Sequence, residues 1–307
     1  MSLRSSLIFY LASMCVVGSS LAAANEMQFS VKKLDAGSFP SPLVAEKRSR
    51  ATSGLPDGLV ATFNGKGDIA AAWYTRPTER YGHAVLGDGI EAGGLMIKLS
   101  SGKTMEMVLP KATVFEDRYP RLVDLDNDGK VDVVTILAAL AGGGSVTVFK
   151  LGKSELELKG STGFIGRPNR WLNVAGIADY RGSGSKQIAF VKTPHIGGTL
   201  YFYEMIENKL KRVAGLHGFS NHVIGSPEMR LSATIDVNGD GRPDLAVPSA
   251  NRRKLRIVGF KGKELVEFGN AKLPARVDKA IALKVKDGRV SFVVGLDNGS
   301  VYEVSPR

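Results

Sequence analysis

Residues 122–136, LVDLDNDGKVDVVTI, and residues 234–248, TIDVNGDGRPDLAVP, are two copies of one pattern: an apolar approach, an acidic turn with glycine, and an apolar exit. A pattern that recurs within a chain marks a structural unit that stacks on copies of itself, which restricts the fold more than composition does. A weaker copy, GIADYRGSGSKQIAFV, occupies 176–191. Aligning the last turn position places Asp132, Gln187 and Asp244 at intervals of about fifty residues, and the same frame reaches Ser291 and, upstream, His83. Behind the turns come further short runs with period-two apolar patterning, such as SVTVFKL then SELELK, and TLYFYEM then KLKRV. Each unit reads as four short antiparallel strands with Gly-rich turns, the make-up of a propeller blade. The expected fold is all-β, a β-propeller with five blades of four antiparallel strands. The fifth unit offers only three strands, at 278–285, 289–295 and 299–304. An N-terminal strand at 58–64, GLVATFN, is therefore expected to join the last blade and remove its exposed edge.

The acidic turns carry chemistry as well as shape. In the first, Asp124, Asp126, Asp128 and Asp132 follow D-x-D-x-D-G-x-x-D, with Gly129 allowing the backbone reversal. Alternate side chains in so tight a loop point to one centre, where crowded carboxylates repel unless a cation sits among them. Hard oxygen ligands favour calcium, which would also recruit the Lys130 carbonyl and water. The second turn repeats this with Asp236, Asn238, Asp240 and Asp244, Gly241 and the Arg242 carbonyl. An EF-hand is excluded, because it needs flanking helices and a glutamate where these loops have Thr135 and Val247. The loops resemble those of the FG-GAP/VCBS repeat family, calcium-binding blades of integrin-type propellers and of many secreted bacterial proteins. The resemblance spans 58–307, with a full motif in two of the five units. It implies structural calcium, about two ions, on those side chains. The third unit keeps Asp179 but has Arg181, Ser183 and Gln187, so it is expected to bind none, with Arg181 supplying its own charge.

Upstream, Arg4 precedes an apolar stretch from Leu7 to Val17, and Ala22, Ala23 and Ala24 follow. These are the parts of a secretory signal, and the stretch is too short to span a membrane. The chain thus divides into a signal peptide at 1–24, an extended or flexible leader at 25–57 bearing Lys47, Arg48 and Arg50, and the propeller at 58–307. The single cysteine, Cys15, lies inside the signal, so the exported chain would hold no disulfide. A periplasmic or extracellular location is expected.

In a meander, turns between first and second strands leave from one end, and the crossings between units leave from the other. The long crossings 111–120, 159–171, 214–228 and 269–277 should therefore gather opposite the acidic loops, together with TPHIGG and SANRR. Candidate ligand-binding residues there are Arg167, Arg170, Trp171, His195, His217, His222, Arg252 and Arg276. Arginine suits planar anions through paired hydrogen bonds, and tryptophan stacks on a sugar ring or an apolar group. No G-x-S-x-G or H-E-x-x-H motif occurs, so no catalytic residue is assigned; Glu116 and Asp117 are merely close by, and His83 falls on a degenerate turn position with a structural role. The formal net charge of +11 suits acidic partners, while export argues against nucleic acid. The expected function is that of a calcium-stabilised binding or scaffold module for an anionic glycan or a protein partner. The alternatives are a polysaccharide lyase or hydrolase on the same scaffold, and a purely structural envelope protein.

Overall fold

Short apolar runs between Gly-rich turns become strands throughout the computed structural model, which describes residues 26–35, 47–207 and 209–307. The expected signal peptide lies outside the described residues. Among those residues there is no helix, and none therefore crosses a membrane as one. Strand β1 (Phe29–Leu34) comes first. The first unit holds β2 (Ala61–Thr62), β3 (Ile69–Thr78), β4 (Glu91–Leu99) and β5 (Thr104–Val108), and β6 (Thr113–Phe115) follows it. The second holds β7 (Arg121–Val123), β8 (Asp132–Ala139), β9 (Gly143–Leu151) and β10 (Leu156–Ser161). The third holds β11 (Leu172–Ala178), β12 (Gln187–Lys192), β13 (Thr199–Ile206) and β14 (Lys209–His217). The fourth holds β15 (Ala233–Ile235), β16 (Asp244–Pro248), β17 (Lys254–Lys261) and β18 (Glu264–Lys272). The fifth holds β19 (Ala282–Lys286), β20 (Arg289–Gly295) and β21 (Val301–Pro306). Each unit is an antiparallel meander, and β6 pairs with both β4 and β8, which merges the first two units into one nine-stranded sheet.

Side-chain alternation builds the packing between units. Val133 on β8 enters a core with Tyr74, Leu95 and Ile97 of the first unit, whereas its neighbour Val134 faces Leu172, Ile188 and Phe190 of the third. On β12, Ile188 and Phe190 face the second unit, while Ala189 and Val191 join Leu245, Val247 and Phe260 of the fourth. On β16, Ala246 turns to Leu255, Phe292 and Val294 in the core shared with the fifth unit. A strand with both faces covered reads as an unbroken apolar run, as in DVVTILAA of β8. The last strand of a unit has water on one side, and β14, KLKRVAGLH, is accordingly mixed. The four cores link units one to five in chain order. The far face of the fifth unit has a small cluster of its own, Ala280, Ala282, Val293 and Val301 with Leu34.

The strand that completes the last unit is not the expected one. β1 pairs with β21, Phe29 opposite Pro306 and Leu34 opposite Val301, so an N-terminal strand does supply the edge, but from within the stretch read as leader. Residues 61–62 instead open the first unit, Ala61 opposite Ala72. The turn Asn64–Asp68 makes that local hairpin, with Phe63 N–H donating to Ala70 O at 2.9 Å, and a local pairing costs far less loop entropy than one spanning the chain. This moves the frame of the first unit by one strand. Its first turn is 63–68, and the loop containing His83 joins β3 to β4, at the opposite end from the acidic loops.

Candidate functional site

The crossings and the second-to-third-strand turns bring histidines and a tryptophan together at the end of the units opposite the acidic loops. Trp171, the residue before β11, is buried at 2% exposure, and its indole N–H donates to Glu116 O at 3.0 Å. His195, in the β12–β13 turn, lies parallel to that indole at 6.2 Å, and His222, in the β14–β15 crossing, meets it edge-on at 4.6 Å. The hydrogen bonds fix both tautomers. His222 Nε2 lies 2.8 Å from Ser226 O, which only accepts, so Nε2 carries the proton. Its Nδ1 then accepts from His195 Nε2 at 2.9 Å, which leaves His195 Nδ1 as an acceptor with no partner among the described residues. Both rings are neutral. Burial is the main cause, with Arg252 adding to it at His195 and His195 adding to it at His222, and the pKa values fall to about 4 and about 3. Arg252, in the β16–β17 turn, donates to His222 O at 3.4 Å and to Val277 O at 3.1 Å.

Behind this face lies a group of carboxyls, of which the sequence pointed only to Glu116 and Asp117, as nearby candidates. Glu91, Glu116 and Asp117 are 3%, 0% and 1% exposed. Burial, with the Glu116 charge second, raises Glu91 to about 9, and burial raises Glu116 well above the ordinary carboxylate range. His83 Nδ1 lies 2.5 Å from Glu116 Oε1; burial and Arg170 lower its pKa, so the neutral acid O–H donates to a neutral ring. Asp117 Oδ2 accepts from Tyr74 Oη at 3.0 Å, from Ile136 N–H at 3.3 Å and from the Arg121 guanidinium. Glu116 Oε2 and Asp117 Oδ1 are buried without a hydrogen-bond partner.

The expected ligand residues separate into two groups. Trp171, His195, His222 and Arg252 form one assembly, and Arg276 and Arg170 act on it electrostatically, through Arg252 and His83 respectively. His217 is apart from it, bonded to Thr199 Oγ1 at 2.9 Å on the edge of the third unit, and Arg167 is an exposed crossing residue with no contact to it. His83 belongs to the assembly instead of to an acidic turn. Its signal in the sequence was its place between Tyr81 and the apolar Val85–Leu86 pair, both now buried.

In the acidic loop between β7 and β8, Asp124, Asp126 and Asp128 each offer an oxygen within 4.8 Å of the others, and this triad could hold a metal ion. Asp132 braces the loop, accepting from Leu125 N–H at 2.9 Å. Lys150, opposite Asp132 on β9, places its ammonium 2.9 Å from Asp128, 3.2 Å from Asp126 and 3.5 Å from Asp132. In the third unit the same cross-strand position is Glu204, opposite Gln187 and 2.6 Å from Arg181. The fourth unit differs from the expectation. Among the described residues its carboxylates form no such triad, and Asp240 is held by Arg242 at 2.7 Å. Its cross-strand position is Gly259, where a Cβ would stand 2.2 Å from Asp244 Oδ1. Each of the three loops thus carries its own basic side chain.

No known family profile and no curated protein matches the chain. Among solved structures, BBS1N in complex with ARL6DN is similar with a TM-score of 0.46 and 10% identity over 82% of this chain and 67% of that one. A rhamnogalacturonan lyase PL11 of Bacillus licheniformis is similar with a TM-score of 0.51 and 15% identity, over 84% of this chain and 52% of the lyase. The chain therefore spans about half the length of the lyase, and what the two share is an all-β fold.

Proposed function

We propose that the chain is an exported five-bladed β-propeller of the FG-GAP/VCBS kind that binds an anionic glycan through the end of its blades opposite the acidic loops. The observation that carries this reading is the assembly of Trp171, His195, His222 and Arg252, from the third and fourth units and the crossings that lead into them, at that end. His195 Nδ1 accepts from a sugar hydroxyl, Arg252 and Arg170 attract its carboxylates, and rigid strands hold the loops in place. Five four-strand meanders packed in chain order, the last completed by β1, support the blade count. Calcium belongs to the same reading, at Asp124, Asp126 and Asp128 in the second unit, where it competes with the Lys150 ammonium. Calorimetric titration with oligogalacturonate tests it. Saturable binding that weakens about tenfold in Arg252→Ala supports the reading, and no binding to any uronate polymer overturns it.

A second reading, a polysaccharide lyase, has one observation in its favour: buried Glu116 orients His83, which is 13% exposed, as an acid–base group would be oriented. It predicts unsaturated uronate products that vanish in His83→Ala. A protein partner in place of the glycan, or a purely structural role, would leave both assays silent.

A further inference from the structure

The β16–β17 turn, residues 249–253, has chemistry on two sides, and the histidine assembly uses only one of them. On that side Arg252 donates to His222 O. The other side belongs to a cavity of about 490 Å³, whose lining includes Gly218, Ser249, Asn251, Lys254, Arg256 and Asn270. The same two stretches of chain build both places: Asn251 precedes Arg252, and Gly218 and His222 lie in one crossing. Turn and crossing are pinned together, Ala250 N–H donating to Gly218 O at 2.8 Å and Ser220 N–H to Pro248 O at 3.1 Å.

The cavity has rigid walls and polar capacity to spare. Arg256 lies over the Phe219 ring at 3.8 Å and donates to His217 O and Gly218 O, both at 3.0 Å. Its Nε also donates to Glu267 Oε2 at 2.9 Å, which neutralises that carboxylate of the lining. Asn251 Oδ1 accepts from Ser249 Oγ and from Arg253 N–H, while its Nδ2 has no partner among the described residues. Asn270 donates through Nδ2 to Glu267 at 3.1 Å, and its Oδ1 is likewise unused. Lys254 is exposed, and its ammonium meets no carboxylate among the described residues.

We infer that this cavity is an extension subsite of the glycan face, so that the ligand is an internal stretch of an acidic polysaccharide running over the 249–253 turn. This inference rests on the glycan reading. Lys254 meets the carboxylate of a uronate ring, Asn251 Nδ2 donates to a hydroxyl oxygen, and Asn270 Oδ1 accepts from a hydroxyl. A chain already held by the histidine assembly reaches the cavity intramolecularly, so affinity rises with its length.

Calorimetric titration with the dimer and the hexamer of galacturonate, at constant ionic strength, tests this. The parent chain should bind the hexamer about a hundredfold more tightly than the dimer, beyond the few-fold that extra binding registers supply. Lys254→Ala and Asn251→Asp should each cut that gain about tenfold and leave dimer affinity near the parent's. Asn251→Asp keeps the Oδ1 that holds Arg253 N–H, so the turn stays closed while the donor is lost. Arg252→Ala should weaken both oligomers alike. Lys261→Ala, exposed at the other end of β17 from Lys254, should bind both as the parent does. Dimer and hexamer binding equally, a length gain that survives in Lys254→Ala, or an equal loss in Lys261→Ala would overturn the subsite and leave the glycan face standing. No binding of either oligomer would overturn both.

Discussion

At the scale of single residues the chain is organised by buried titratable groups with opposite pH preferences. His195 and His222 have folded pKa values depressed to about 4 and about 3. The unfolded chain therefore binds their protons first, and stability that is full above about pH 6.5 is lost as pH falls below it. Glu91 runs the other way. Its folded pKa is raised to about 9, so its contribution is full below about pH 4.5 and is lost as pH rises towards 9. Urea unfolding should show a maximum at mildly acidic pH. Glu91→Gln should raise stability at pH 8 by about 2 kcal/mol and leave pH 5 nearly unchanged; an equal effect at both would show that its carboxyl is ionised in the fold. Lys150 is the other decisive residue. Replacing it with methionine removes the ammonium from between Asp126 and Asp128, so calcium affinity of the second unit should rise about tenfold or more by calorimetry. Unchanged affinity would mean that metal and lysine never compete.

Among the elements, β1 is the one whose removal is most informative. Phe29 sits at 9% exposure in the core between the fourth and fifth units, and β1 covers the outer edge of β21. A chain beginning at residue 47 should lose about 3 kcal/mol from that core and expose a strand edge that promotes association. A chain beginning at residue 26 keeps β1 and should melt well above the one beginning at residue 47. Identical melting of the two would remove β1 from the folding unit. The acidic loops could be read from the sequence because their ligands are spaced two residues apart in one turn, and chemistry so local needs no tertiary knowledge. The β1–β21 pairing could not, since its partners lie at opposite ends of the chain and FSVKKL is a weak alternation beside GLVATFN. Lys150 was hidden for a related reason: it meets Asp132 through strand register, which spacing does not show. Glu116 and Asp117 were visible only as neighbours of a crossing, because carboxylates ordinarily face water, and only packing under Trp171 and Tyr74 buries them.

The whole molecule has two chemically distinct ends. The acidic loops join the first and second strands of their units, and the histidine–tryptophan assembly lies at the far ends of the same strands, where the proposed glycan would bind. A strand of about six residues is roughly 20 Å long, so neither end touches what the other holds. Calcium should accordingly raise the melting temperature by mass action and leave glycan affinity unchanged. Hydrogen–deuterium exchange with and without oligogalacturonate puts this division to the most direct test. Slowed exchange is expected in the β12–β13 turn around His195, in the crossing around His222 and in the β16–β17 turn around Arg252, with the loops at 124–131 and 236–243 unaffected. Protection confined to those acidic loops, with the histidine-bearing segments unchanged, would contradict it.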